Sequence, residues 1–155
     1  MRRYQTNGFV PIGAPPARRT LPAAIVNIVK GDFLHDNGAG YATNATVAFN
    51  ILTALGVAAA DCDNSAGTVG AKNVEVYPID ELTQYLVPIA ANALITQTVV
   101  GTIIDLEAND DLDISDTVGG GLGFFVDEID AGTEAVAANT YGYAIGHFMT
   151  FGATA

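Results

Sequence analysis

The sequence predicts an all-β protein, a sandwich or barrel-like single domain of eight to ten strands with an extended N-terminal arm. Three observations lead there. Half of the 155 residues are apolar, and Val, Ile and Thr recur in short runs, where their stiff branched side chains suit a pleated surface. Seventeen glycines and turn signals spaced ~8–12 residues apart cut the chain into short segments. Only residues 93–107 fit a helical apolar period, and loosely, so helix is expected in less than about a tenth of the chain.

The length suits one domain with a real core. Only 15% of residues are charged and mean hydropathy is positive at +0.31, too apolar for a chain that stays unfolded. No apolar run reaches the ~18 residues that a membrane helix needs. The early arginines of "MRRYQTNGFVPIGAPPARR" are followed by no apolar stretch, so no secretion signal is read there. Cys62 is the one cysteine; beside Asp61 and Asp63 its thiol is raised rather than activated, which makes it structural. A reducing cytoplasm is the expected place of synthesis and assembly.

Taken in order, residues 1–22 form the arm and residues 23–155 the body. Pro11, Pro15, Pro16 and Pro22 exclude a helix or a central strand from the arm, because proline lacks the amide donor. In the body, "AAIVNIVKGD" (23–32) reads as a strand ending in Gly-Asp. Asn37-Gly38, between "FLH" and "YAT", is a strong hairpin signal. "ILTALGVAAADC" (51–62) suits a buried strand and "DNSAGTVGAKN" (63–73) a Gly-rich loop. "VEVYPI" (74–79) alternates, with Val74 and Val76 on one face and Glu75 on the other. "TQYLVPIA" (83–90) is a strand that Pro88 assigns to an edge or bulge. Residues 93–107 read as turn then strand, with Gly101 as the break. "GFFVDEID" (123–130) and "TYGYAIGHFMTF" (140–151) read as two strands joined around Gly132.

Charge is uneven. Arg2, Arg3, Arg18 and Arg19 give the first nineteen residues +4, while from Thr20 onward two lysines face 17 carboxylates, or −15. A body that acidic repels nucleic acid, whose binding needs Lys and Arg to displace counterions. The arm is therefore expected to be the contact element in assembly. Arg2, Arg3, Arg18 and Arg19 supply its charge, and Phe9, Val10, Ile12 and Leu21 its apolar anchors.

The residues that invite a chemical reading fail its requirements. In "DLEANDDLDISD" (105–116) half of the positions are acidic. A calcium loop of the EF-hand type beginning at Asn109 would place Asp111 and Asp113 well. Its sixth position is then Ile114 and its twelfth Gly120, so both the turn glycine and the closing glutamate are missing. A strand that buries Leu112 and Ile114, exposes Asp111, Asp113 and Ser115, and leaves Asp110 and Asp116 in turns is the simpler expectation. His35 is expected exposed at the hairpin turn, and His147 in a core or an interface; neither has metal-ligand spacing. "GGGLG" (119–123) lacks the Lys-Ser/Thr of a phosphate loop and is expected to be a loop. Asp127 and Glu128, adjacent on a strand, would point to opposite faces, unlike the paired carboxylates of a glycosidase. Neither a catalytic residue, a cofactor nor a metal is expected.

"VKGDFLHDNGAGYATNA", "LGVAAADCDNSAG" and "NVEVYPI", within residues 24–80, resemble the small β-rich capsid decoration (cement) proteins of tailed bacteriophages. The shared pattern is a Gly-Asp entering a hairpin, a "GYAT" return strand, and a "GVAA-D-DN" strand leading into a Gly-rich loop. The N-terminal arm has no counterpart in that pattern. The resemblance implies a structural virion protein on the capsid exterior. Its partners would be the major capsid protein and further copies of itself, trimers among the oligomers such proteins form. The competing expectation is a non-catalytic β-sandwich surface or fibre module that binds carbohydrate or protein. Such a module would carry aromatic binding residues and a secretion signal.

Overall fold

The computed structural model describes residues 8–44, 48–89, 99–117, 121–130 and 142–151. It is β throughout, with no α-helix among them. The described residues hold the strands β1 (Val10–Ile12), β2 (Arg19–Pro22), β3 (Asn27–Ile28), β4 (Phe33–Asp36), β5 (Ala42–Thr43), β6 (Ala54–Ala58), β7 (Cys62–Asp63), β8 (Asn73–Pro78), β9 (Gln84–Ile89), β10 (Ile103–Ala108), β11 (Asp111–Thr117), β12 (Gly121–Asp130) and β13 (Gly142–Phe151).

They make three layers. The first sheet runs β1-β9-β11-β10-β12-β13, and β13 also pairs with β9, so five of its strands close into a barrel. The closing contact on the β11 side is a single parallel pair, Leu112 with Ile89. The second sheet, β2-β8-β6-β4-β5, packs against the first, and the β3–β7 ribbon covers its other side. Two apolar clusters fill the gaps. One joins the two sheets through Phe9, Phe33, Val57, Tyr77, Phe124 and Phe148. The other, with Ile28, Leu34, Ala58, Cys62, Val74 and Val76, lies between the second sheet and the ribbon. The middle strands of the second sheet, β4 and β6, are therefore covered on both faces. For that reason β6 is apolar without alternation, as strands covered on both sides are.

The hairpin expected at Asn37-Gly38 joins β4 to β5, with Asp36 opposite Ala42. The Asp36 carboxylate accepts from the Gly38 and Gly40 amides, and the Asn37 side chain from Ala39 and Tyr41. These local bonds satisfy the turn, as Asx side chains commonly do. In β8, Val74 and Val76 are buried and Glu75 is exposed, while Tyr77 turns into the larger cluster. β12 and β13 pair antiparallel over most of their length; the connection around Gly132 lies outside the described residues.

Several expectations are corrected. The N-terminal segment is extended but is built into the fold: β1 pairs with β9 and β2 with β8. Phe9 is 1% exposed, with its ring among five other aromatics. Of residues 23–32 only Asn27–Ile28 is strand, and 51–62 yields β6 and β7 separated by turns. β9 is an inner strand, and Pro88 falls in a gap along one side of it, between the last pair with β1 at Leu86 and the Ile89–Leu112 bridge. Gly121–Gly123 open β12 rather than forming a loop.

Two substitutions test this packing. Gly56 has φ 137°, and a Cβ there would overlap the Tyr77 carbonyl oxygen across the β6–β8 pair. Gly56→Ala is expected to cost about 1–3 kcal/mol, the usual range for forced overpacking, read from urea unfolding. An unchanged midpoint would refute the close approach of these strands. Tyr85 is fully buried with its hydroxyl unpartnered, and burial pushes its pKa up. Since an unmade buried hydrogen bond costs ~1–3 kcal/mol, Tyr85→Phe is expected to raise the melting temperature.

Candidate functional site

The acidic stretch folds as β10, a turn at Asn109–Asp110, and β11. Leu112 is buried as expected. The acids, however, are not simply solvated. Asp105 Oδ1 accepts from the Phe49 and Leu106 amides at 2.7 and 2.8 Å, tying the strand to the loop before β6. Asp111 Oδ1 is buried without a hydrogen-bond partner. Burial, then Asp110, Glu107 and Asp113, push the Asp111 carboxyl above its ordinary range, against a backbone hydrogen bond with Ala108. Asp116 lies within β11 rather than in a turn. These are corrections to a uniformly wet face, and their cause is the neighbouring layer. The Asn109 carbonyl accepts from the Phe33 amide at 2.7 Å, which brings the turn onto the second sheet beside Asp32.

Asp32 is 3% exposed and accepts from the Val29 amide and the Asn44 side chain, both at 2.9 Å. Burial dominates and raises its carboxyl. With partners of this kind it is a structural strut for the segment before β4. Among the described residues, no three His, Cys, Asp or Glu side chains are placed to hold a metal ion. Calcium chelation is expected to leave the melting temperature unchanged, because stabilisation requires a ligand of the folded form. A calcium-dependent rise of several degrees would instead make Asp110, Asp111, Asp113 and Asp116 ligands.

His35, expected exposed, is 4% exposed. Its register with Thr43 places it inside β4, before the turn begins. Nε2 accepts from the Asn50 amide at 3.1 Å, and the ring meets the Phe33 edge at 5.1 Å. Because Nε2 accepts, the neutral ring carries its proton on Nδ1, which is buried and unpartnered. Burial lowers the pKa to about 4. Cys62 is buried, and desolvation raises its thiol, with Asp63 adding and Lys72 opposing. Such a thiol is a poor nucleophile.

The most organised polar group on the outside of the barrel is one that sequence reasoning missed. Asp127 Oδ2 lies 3.0 Å from His147 Nδ1 and accepts from Gln84 Nε2 at 3.1 Å. The three come from β12, β13 and β9. His147 sits opposite both Phe125 and Gln84 in register, and its ring is 5.2 Å from that of Phe125. A register shift between Val126 and Glu128 puts Asp127 beside His147. The bulge places two successive residues between the inward positions Val126 and Ile129, so the expected opposition of Asp127 and Glu128 does not hold. A partly exposed pair of this kind is worth ~0–1 kcal/mol; its effect is to fix the imidazole in one orientation and leave Nε2 turned away from Asp127.

The expected contact residues are dispersed. Arg2 and Arg3 lie outside the described residues. Phe9 belongs to the core and cannot anchor another chain. Arg18 donates to Glu75 at 2.8 Å, and its guanidinium lies 5.5 Å from the Tyr77 ring centre. Arg19 is exposed at the start of β2, and Leu21 packs on the smaller apolar cluster. Ile12 pairs with exposed Gln84; cross-strand partners share a face, so Ile12 looks outward, whereas Val10 pairs with Leu86, which is itself buried. In comparisons with protein-family models, curated proteins and solved structures, none matches this chain.

Proposed function

We propose that the chain is a structural, non-catalytic virion protein that binds the outer surface of a phage capsid and stabilises the head. One observation carries the reading: the described part of residues 24–80, which hold the resemblance to capsid decoration proteins, supplies β3 to β8 and most of the smaller apolar cluster. The motifs are thus parts of the second sheet and of the ribbon packed on it rather than scattered turns. Two nearly naked leucines, Leu52 at 89% and Leu82 at 90% exposed, support a protein that is covered in use. The Asp127–His147 pair serves as a fixed polar point on a docking surface in this reading. The chain is tested by mixing it with expanded, undecorated heads of the virus that encodes it. Saturable co-sedimentation and a higher temperature of head disruption are expected. Heads that neither bind the chain nor gain stability would refute the proposal.

A further inference from the structure

The barrel wall made by β1, β9, β13 and β12 presents a mixed surface on the side away from the core, with apolar side chains beside the Asp127–His147 pair. Register defines its central row: Ile12 stands opposite Gln84, Gln84 opposite His147, and His147 opposite Phe125. The intervening residues Tyr85 and Phe124 fill the interior, so by the two-residue period of a strand this row looks outward. Ile12 is 42% exposed. At one end of the wall, Glu81 accepts from the Thr150 amide and hydroxyl, which fixes the neighbouring Leu82 beside the end of β13. Phe151 there pairs with Gly121, and Ile51 lies against Gly121. Leu52 follows Ile51 and Leu82 follows Glu81, so both leucines adjoin the end of the wall where Gly121 pairs with Phe151.

Charge says what covers this surface. All six Lys and Arg lie in the first 72 residues; from Asn73 onward there are 13 carboxylates and no Lys or Arg. The two halves of the sequence thus carry +2 (6 − 4) and −13 (0 − 13). Every described cation (Arg18, Arg19, Lys30, Lys72) lies outside the barrel sheet. Among the described residues, the charged groups on these strands and beside Leu82 include Asp80, Glu81, Asp127 and Glu128. Two copies meeting through this wall would bring like charge together, which opposes association.

We propose that the outer wall of β1, β9, β13 and β12 docks a protein partner that presents Lys and Arg around an apolar contact. The apolar side chains hold the complex, and the carboxylates set its on-rate and salt dependence. This assignment deepens the docking function proposed above and rests on it.

The test is an NMR titration of the full chain with three synthetic peptides of equal length, alternating Lys-Leu, Lys-Ser and Glu-Leu. The Lys-Leu peptide is expected to bind and to shift the signals of Ile12, Leu82, Gln84 and His147. Its affinity is expected to fall about tenfold in an Ile12→Ser, Leu82→Ser variant, the loss typical of removing interface anchors, and to weaken with salt. Both substituted side chains are exposed, and an unchanged aromatic spectrum checks the fold. Equal binding of Lys-Ser, unchanged affinity in the variant, or shifts confined to another surface would overturn the proposal. So would self-association that the same substitutions abolish, which would give the wall to a second copy. Heads bound and stabilised without any peptide response here would leave the capsid reading intact and refute this face; a peptide response without head binding would do the reverse.

Discussion

Replacing Phe9 with alanine is expected to lower the free energy of unfolding by about 3–5 kcal/mol, the range for deleting a buried aromatic ring. The ring is fully enclosed, with centroids 5.4–6.5 Å from those of Phe33, Phe49, Tyr85, Phe124 and Phe148. These partners come from both sheets and from the loop before β6, so the cavity would open where the layers meet. Mostly tilted and edge-to-face contacts of this sort add ~0.5–1.5 kcal/mol each beyond area burial, and a relaxed cavity cannot recover them. Against a total stability of ~5–15 kcal/mol for a domain, the loss is large. The backbone strengthens the point, since the Phe9 amide donates to the Gly31 carbonyl at 2.8 Å and locks the ring's approach. Deleting residues 1–22, which also removes β1 and β2, is expected to abolish cooperative melting. A deletion ending at residue 7 keeps Phe9 and is the proper probe of the basic segment holding Arg2 and Arg3. Cooperative melting of the longer deletion at the full-length temperature would refute the built-in role of the N-terminal segment.

Phe9 also shows where sequence reasoning stops. Four prolines disqualify the first 22 residues from folding alone, and that inference is sound. It does not follow that the segment lies outside the fold, because Pro11 and Pro22 are compatible with short strands at sheet edges, where a missing donor costs least. The all-β class, the Asn37-Gly38 hairpin, the alternation at Val74–Val76 and the β12–β13 pair were legible because each depends on neighbours in sequence. Barrel closure was not, since it rests on Leu112 meeting Ile89 across more than twenty residues. The bulge at Asp127 was hidden for a similar reason: one extra residue shifts every later side chain to the other face, and nothing in "GFFVDEID" announces it. His35 and Asp111 were expected in water because each sits beside a turn and an acid. What buries them is a different layer, visible only once the Phe33 amide is seen to reach the Asn109 carbonyl.

Lowering the pH from 7 to 5 is expected to cost the protein about 2 kcal/mol through His35 alone. The imidazole has an ordinary pKa of 6.5 in the unfolded chain and about 4 in the folded one, and the cause is burial. Between those values the unfolded state binds more protons, so stability rises with pH there. The contribution is present in full above pH 6.5, is lost as the pH falls through the window, and levels off below about 4. Over the whole window, at ~1.4 kcal/mol per tenfold change, it amounts to about 3 kcal/mol. Protonation would also place a hydrogen on Nε2, the atom that accepts from the Asn50 amide, leaving two donors facing each other. Asp32 and Asp111 act in the opposite sense. Their raised folded pKa values mean that the folded state takes up protons first as the pH falls through the carboxylate range, which favours folding there. Glu81 and Asp63, whose carboxyls are lowered by hydrogen bonds to Thr150 and Ser65, lose stabilisation on acidification. In the unfolded chain the imidazole titrates above all four carboxyls, and comparison with a variant lacking it separates its share of the slope from theirs. The measurement is urea unfolding at pH 7, 6 and 5 for the natural chain and for His35→Gln, whose amide oxygen can still accept from Asn50 but does not titrate. The variant is expected to be less stable at pH 7 yet nearly flat over this range. An identical pH slope in both proteins would show that His35 is not the titrating group.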